Sequence, residues 1–138
     1  EPQPAQIMVS HFWGGKFRDF MATISKLAED KSLSPFTRIW VCTFANCQFG
    51  DDFGSAQLCE CPFIKAVEEA ELTVLIVDRF AASLLRIWCG LELQHTIARE
   101  KDLHLYTSIG RVGANGISSG PLVEAVKDWD IRKGEAAE

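Results

Sequence analysis

The segment LTVLIVD, residues 72–78, limits the possible folds of this chain more than any other stretch of its sequence. It is almost continuously apolar, which is typical of a central strand in a parallel sheet that is covered on both faces. Parallel strands need crossover connections, so helical segments should separate the strands along the chain. The segment therefore predicts an α/β fold in which residues 72–78 form a central strand.

The rest of the sequence supplies that alternation. Apolar and β-branched runs predict strands, and helical spacing or a helix-starting proline predicts helices. The predicted strands are 6–12, 36–44, 72–78 and 103–109, and the predicted helices are 14–30, 62–71, 81–101 and 121–133. A chain of 138 residues is long enough for one domain, residues 1–138, whose first five residues form a loose segment. We therefore expect a flavodoxin-like open parallel sheet of about four or five strands, with helices on both faces.

Charge and composition argue against several classes of protein. The net charge of −5 disfavours binding to nucleic acid, and no apolar run reaches the ~18 residues of a direct membrane span. The number of cysteines is odd and no apolar h-region occurs near the first residue of the sequence, so we expect an intracellular, reducing compartment, in the cytoplasm or inside an organelle. The chain starts without Met, and we expect it to be a trimmed or processed part of a longer protein, from which a targeting sequence could have been removed.

The cysteines also bear on metal binding. Structural zinc sites use pairs with C-x₂₋₄-C spacing, and the C-x-C arrangement of Cys59 and Cys61 does not provide one. We therefore predict neither a disulfide nor a metal ion among Cys47, Cys59 and Cys61.

The loops that follow the strands are the first place to look for a binding site. In an open α/β sheet, ligands bind outside the carboxyl ends of the strands, and here those loops are residues 11–16, 45–61, 78–83 and 110–120. Four candidate residues end the first strand or follow it. The polar pair can hydrogen-bond a ligand and the aromatic pair can stack on a planar ring: Ser10, His11, Phe12 and Trp13. The alternative interpretation is a histidine satisfied beside an aromatic core.

Glu92 is the least expected residue of the predicted helix 81–101. An apolar stripe runs along this helix and comprises Leu84, Ile87, Trp88, Leu91 and Ala98. Glu92 follows Trp88 by four residues and so lies on the flank of the stripe. A carboxylate there is partly desolvated, which raises its pKa and strengthens its field on a nearby cation. An acid that simply reaches water from the flank is the alternative interpretation.

The segment 61–93 resembles the Toll/interleukin-1 receptor (TIR) domain family. In that family a helix and an apolar strand precede the pattern S-x-W-C-x-x-E-L, and Trp88, Cys89, Glu92 and Leu93 match its W-C-x-x-E-L part. The first strand and the long loop after the second strand are also compatible with the family, so the resemblance covers about residues 6–110. The segments VSHFWG and RIWVCTFANCQF look more like divergent TIR-like domains of dinoflagellate and other protist proteins.

The resemblance implies an activity and a set of site residues. In TIR domains that cleave NAD, the acid at the position of Glu92 is the catalytic carboxylate, which suits the oxocarbenium-like ribose of that reaction. The implied enzyme is an NAD glycohydrolase with a signalling role, with NAD as substrate and no resident cofactor. The substrate-binding wall would comprise Ser10, His11, Phe12, Trp13 and Trp88.

Two other functions stay open. Many TIR domains only bind protein partners, so this chain is alternatively a non-catalytic interaction module, acting by self-association or as an accessory subunit of a larger assembly. The 45–61 loop would then be its contact surface. A second alternative is a nucleoside-processing transferase of similar α/β build that also uses a catalytic Glu.

Overall fold

The fold is taken from a computed structural model that describes residues 3–45, 62–78 and 82–113. The strands within these ranges are β1 (Ile7–Ser10), β2 (Ile39–Val41), β3 (Leu72–Ile76), β4 (Asp102–Thr107) and β5 (Gly110–Arg111). The helices are α1 (Phe17–Asp30), α2 (Cys42–Ala45), α3 (Pro62–Glu69) and α4 (Ile87–Ala98), and a 3-10 turn (Ala82–Leu85) precedes α4.

The five strands form one sheet in the order β2-β1-β3-β4-β5. Strands β1 to β4 are parallel, and the short β5 pairs antiparallel with β4. Strand β3 is central, and its Val74 lies between Val9 of β1 and His104 of β4. The predicted α/β, flavodoxin-like open sheet with a central strand in residues 72–78 is therefore confirmed.

Helices cover both faces of the sheet, and alternate strand residues point to opposite faces. One face packs on α1, whose Leu27 is fully buried against Ile7, Val9 and Val74. The other face carries two clusters of buried residues that involve α3, the 3-10 turn and α4. They are Met8, Phe63, Ile64, Ala66, Val67 and Ala70 in one, and Leu75, Val77, Leu84 and Cys89 in the other.

The predicted strand 36–44 is wrong at its carboxyl end. Strand β2 stops at Val41, which pairs with Val9 in β1, and Cys42 begins the helical turn α2. The β-branched and aromatic residues of this segment favour a strand, but such preferences depend on a neighbouring strand to pack against. Because β2 lies at the edge of the sheet, only its short contact with β1 supports extended backbone.

The predicted helix 81–101 is wrong as one continuous element. Arg86 interrupts it with extended backbone, at φ −94° and ψ 126°, and serves as the N-cap of α4. The preceding 3-10 turn is held by the Asp78 carboxylate, which accepts a hydrogen bond from the Ala82 backbone N–H at 2.9 Å. Apolar residues lie on both sides of the interruption, so their spacing does not reveal it.

Other predictions meet the structure only in part. The segment 110–120, expected as a loop, begins with strand β5. The predicted helix 121–133 lies outside the described residues, as do Cys47, Cys59 and Cys61. Among the helices in the described ranges, none has both the length and the apolar character needed to cross a bilayer.

Candidate functional site

The site is at the carboxyl edge of the sheet, where β1, β2 and β3 end and α4 starts. Ser10 is the last residue of β1 and pairs in register with Leu75 of β3. The first turn of α4 lies against the end of β1, because the Cys89 thiol approaches the His11 carbonyl oxygen at 3.7 Å. This edge is where ligands of open α/β sheets bind.

The buried face of α4 is not the apolar stripe expected from sequence. Its buried residues are Cys89, Gly90, Glu92 and Thr96, whereas Ala98 and Ile97 are exposed. Three of the four buried residues are small, so the helix backbone can approach the sheet closely. The Trp88 ring packs in an edge-to-face contact with Phe63 of α3, and the two ring centroids are 5.1 Å apart. Trp88, expected in the substrate-binding wall, therefore contributes to the contact between the two helices.

Glu92 is more deeply buried than a flank position would make it. Its residue exposure is 4%. Burial raises the pKa of the Glu92 carboxyl to about 8, and the Ser10 hydroxyl acts in the opposite direction. No Lys or Arg of the described residues lowers this pKa. A carboxyl in this environment is mainly protonated at pH 7.

Ser10 lies between two groups of α4. Its hydroxyl lowers the pKa of both the Glu92 carboxyl and the Cys89 thiol, although it makes no hydrogen bond of standard geometry with any described residue. Burial, followed by the charge of Glu92, raises the pKa of Cys89 to about 12. Because the thiolate is the reactive form of cysteine, Cys89 is a poor nucleophile at neutral pH.

Polar contacts continue along the interface between α4 and the sheet. We define the polar seam as Ser10, Thr73, Glu92 and Thr96, which are all buried. The Thr96 hydroxyl lies 2.9 Å from the Thr73 hydroxyl and 2.7 Å from the Glu92 backbone carbonyl oxygen. An interface of this kind fixes the rotation of α4 about its axis, since turning the helix would leave buried hydroxyls without partners.

Single and double substitutions of the two threonines should differ. Thr96→Val should cost about 1–3 kcal/mol of unfolding free energy, because it leaves the buried Thr73 hydroxyl without its partner. Adding Thr73→Val should recover part of that loss, because both polar groups are then replaced by apolar groups of similar shape. Urea unfolding of Thr96→Val, Thr73→Val and the double variant measures the three losses of unfolding free energy. A loss in the double variant equal to the sum of the two single losses would contradict a direct contact.

His11 points to the other face of the sheet. Its ring lies 4.9 Å from the Phe20 ring of α1, and its Nε2 is 3.2 Å from the Thr43 hydroxyl. Burial lowers the pKa of His11 to about 4, so the imidazole is neutral at pH 7. The structure therefore brings the His11 backbone, but not its ring, onto the face that carries Ser10 and Glu92.

The two aromatic residues after β1 have different surroundings. The Arg86 guanidinium lies over the Phe12 ring, 5.6 Å from its centroid, in a cation–π contact. Trp13 is 39% exposed. Sequence reasoning did not select Arg86, because its position depends on the break in helix 81–101. The break at Arg86 therefore places the positive charge of its guanidinium next to Phe12, at the carboxyl edge of the sheet.

Metal binding has no support in residues 3–45, 62–78 and 82–113, where no group of three potential ligands occurs. Cys89 is a free thiol. Comparison with protein-family models, curated proteins and solved structures finds no match to this chain. A functional assignment therefore depends on the residues and the geometry of the site itself.

Proposed function

We propose that this chain is a TIR-like domain that hydrolyses NAD to nicotinamide and ADP-ribose, with Glu92 as its catalytic carboxylate. The observation that carries the proposal is a carboxyl group buried at the carboxyl edge of the sheet with no described cation to pair with. A buried acid without a partner is costly for a fold, and such groups concentrate at functional sites. Its place in the W-C-x-x-E-L pattern supports the same assignment.

The substrate supplies a positive charge next to Glu92, where no Lys or Arg of the described residues lowers the pKa of the carboxyl. The nicotinamide ring of NAD is cationic, and positive charge moves onto the ribose as the bond between them breaks. A positive charge near the Glu92 carboxyl lowers its pKa and favours the carboxylate, which then stabilises the oxocarbenium-like transition state. Water adds to the ribose carbon, nicotinamide leaves with the bonding electron pair, and one proton is released.

The surroundings of Glu92 suggest how NAD is held. Trp13 follows β1 at the same edge and is 39% exposed, so a planar ring can stack on it, whereas the Arg86 guanidinium already lies over the Phe12 ring. Because Glu92 is only 4% exposed, contact with a ribose requires a different side-chain rotamer or an outward shift of the first turns of α4.

Product analysis tests the proposal. The purified chain is incubated with NAD at high protein concentration, from about pH 6 to about pH 9, and products are separated by chromatography. We expect nicotinamide and ADP-ribose in equal amounts. Base exchange on deoxynucleosides, without NAD cleavage, would instead support a nucleoside-processing transferase. Folded protein that releases no nicotinamide at any pH would contradict the hydrolase.

An apolar surface patch favours a non-catalytic interaction module as the second candidate. We define this patch as Phe17, Phe20, Met21 and Phe44. Phe44 is 67% and Phe17 is 64% exposed, and both ring centroids lie 6.1 Å from that of Phe20. An open surface cavity lined by Ile39, Trp40, Val41, Phe44 and Ala45 adjoins it. Exposed apolar surface of this kind is typical of protein-binding sites.

The two candidates make predictions for different properties of one variant. If the chain is an interaction module, Phe17→Glu should weaken self-association or assembly with other proteins, which sedimentation velocity measures. If it is a hydrolase, the same variant should release nicotinamide at the wild-type rate, because Phe17 lies on α1, on the other face of the sheet from Glu92. With either function, we propose that the protein acts in an intracellular, reducing compartment.

A further inference from the structure

We propose that Ser10 is a positioning residue for Glu92, whose hydroxyl donates a hydrogen bond to the ionised carboxylate and does not touch substrate. This role replaces the ligand contact expected from sequence. Its catalytic consequence rests on the proposed function, but the contact between the two side chains does not.

The register of β1 brings Ser10 to α4. Strand residues alternate between faces, so Ser10 shares the face of Met8. Met8 belongs to the cluster against which Trp88 and Leu91 of α4 pack. Ser10 lies two residues nearer the carboxyl edge than Met8, and the adjacent His11 carbonyl oxygen contacts the Cys89 thiol. Ser10 therefore faces the first two turns of α4, which include Glu92.

Burial determines what Ser10 can contact. Ser10 is 1% exposed, so its hydroxyl is closed to a ligand at the edge. No described residue forms a standard hydrogen bond with that hydroxyl. A buried hydroxyl without a partner costs about 1–3 kcal/mol, so this serine needs an acceptor. Of the two α4 groups whose pKa this hydroxyl lowers, the Glu92 carboxylate is the stronger acceptor and the Cys89 sulfur the weaker one.

No other described group is a cause that lowers the pKa of Glu92. Cys89 lies on α4 and is itself influenced by Arg86, before the helix, and by Cys42, at the start of α2. The pKa of Glu92 responds to its burial and to Ser10, and no cation among the described residues lowers it. Ser10 is thus the described side chain that favours the ionised form needed for catalysis.

The test follows the ionisation of Glu92 directly, without substrate. Carbon-13 NMR of side-chain carboxyl groups in glutamate-labelled protein gives the pH midpoint of each Glu, and Glu92→Gln identifies the Glu92 signal. In Ser10→Ala we expect the Glu92 midpoint to move to higher pH, because the hydrogen bond that favours the carboxylate is lost. Ser10→Thr keeps a hydroxyl and should stay near the wild-type midpoint.

Ser83 provides a matched control. It is also 1% exposed, and its hydroxyl also lacks a partner among the described residues, but it has no influence on the pKa of Glu92. Ser83→Ala should leave the Glu92 midpoint unchanged. An equal midpoint in Ser10→Ala and Ser83→Ala would overturn the proposal. If Ser10→Ala does not fold, Ser10→Cys keeps the size with a weaker donor and should shift the midpoint in the same direction.

Activity separates this proposal from the proposed function. A higher Glu92 midpoint in Ser10→Ala, in a protein that releases no nicotinamide, supports the positioning contact and contradicts the hydrolase. In an active protein, Ser10→Ala should move the pH profile of kcat to higher pH and leave KM nearly unchanged. Nicotinamide release with the wild-type pH profile in Ser10→Ala would overturn the positioning role alone.

Discussion

Glu92→Gln should make the protein more stable than wild type at pH 8, with little difference near pH 4. The pKa of Glu92 is about 8 in the folded chain, against an ordinary value of 4.5. Between those values the unfolded chain has released the proton that the folded chain keeps, so the contribution of this group to stability falls as pH rises. The fall is ~1.4 kcal/mol per pH unit between the two pKa values. Glutamine does not ionise, so the variant lacks this penalty.

Urea unfolding at successive pH values measures this prediction. The difference in unfolding free energy between Glu92→Gln and wild type should grow from about pH 4.5 to about pH 8 and then level off. Glu69→Gln is the matched control, because Glu69 is exposed on α3 and its curve should run parallel to wild type. A constant difference between Glu92→Gln and wild type over this range would contradict a buried, protonated Glu92.

The sheet was predictable because its central strand carries a strong local signal. Residues 72–77 are apolar except for Thr73, and a strand covered on both faces requires a largely apolar composition wherever it occurs. Edge elements lack such a signal. The end of β2 depends on where its pairing with β1 stops, and β5 exists only because Gly110 and Arg111 pair back onto β4. Both depend on neighbours that local sequence does not reveal.

The location of the candidate site was predicted from sequence, but the packing of its side chains was not. Its position follows from the rule for open α/β sheets, and Glu92 follows from a motif. The face that α4 buries does not follow, because hydrophobicity alone favours Leu91 and Ile87 over small residues such as Gly90. The burial of Ser10 has the same origin, since it depends on the close approach of α4 to β1.

Glu92→Gln should also reduce nicotinamide release by about 10²–10³-fold or more. The substitution keeps the shape of the side chain and removes the negative charge that stabilises the oxocarbenium-like ribose. Nicotinamide is a good leaving group and needs no general acid. The carboxylate is therefore the main catalytic group of the proposed mechanism, and its removal should lower the rate strongly. The fold should persist, because the neutral amide suits a site where the native carboxyl is already largely protonated at pH 7.

The rate of nicotinamide release by wild type, Glu92→Gln and Glu69→Gln, measured on the same NAD and at the same protein concentration, tests the central claim most directly. Circular dichroism establishes that all three are folded. We expect release by wild type and by Glu69→Gln at equal rates, and release by Glu92→Gln at the level of a blank without protein. Equal rates in wild type and Glu92→Gln would contradict a catalytic role for this carboxylate.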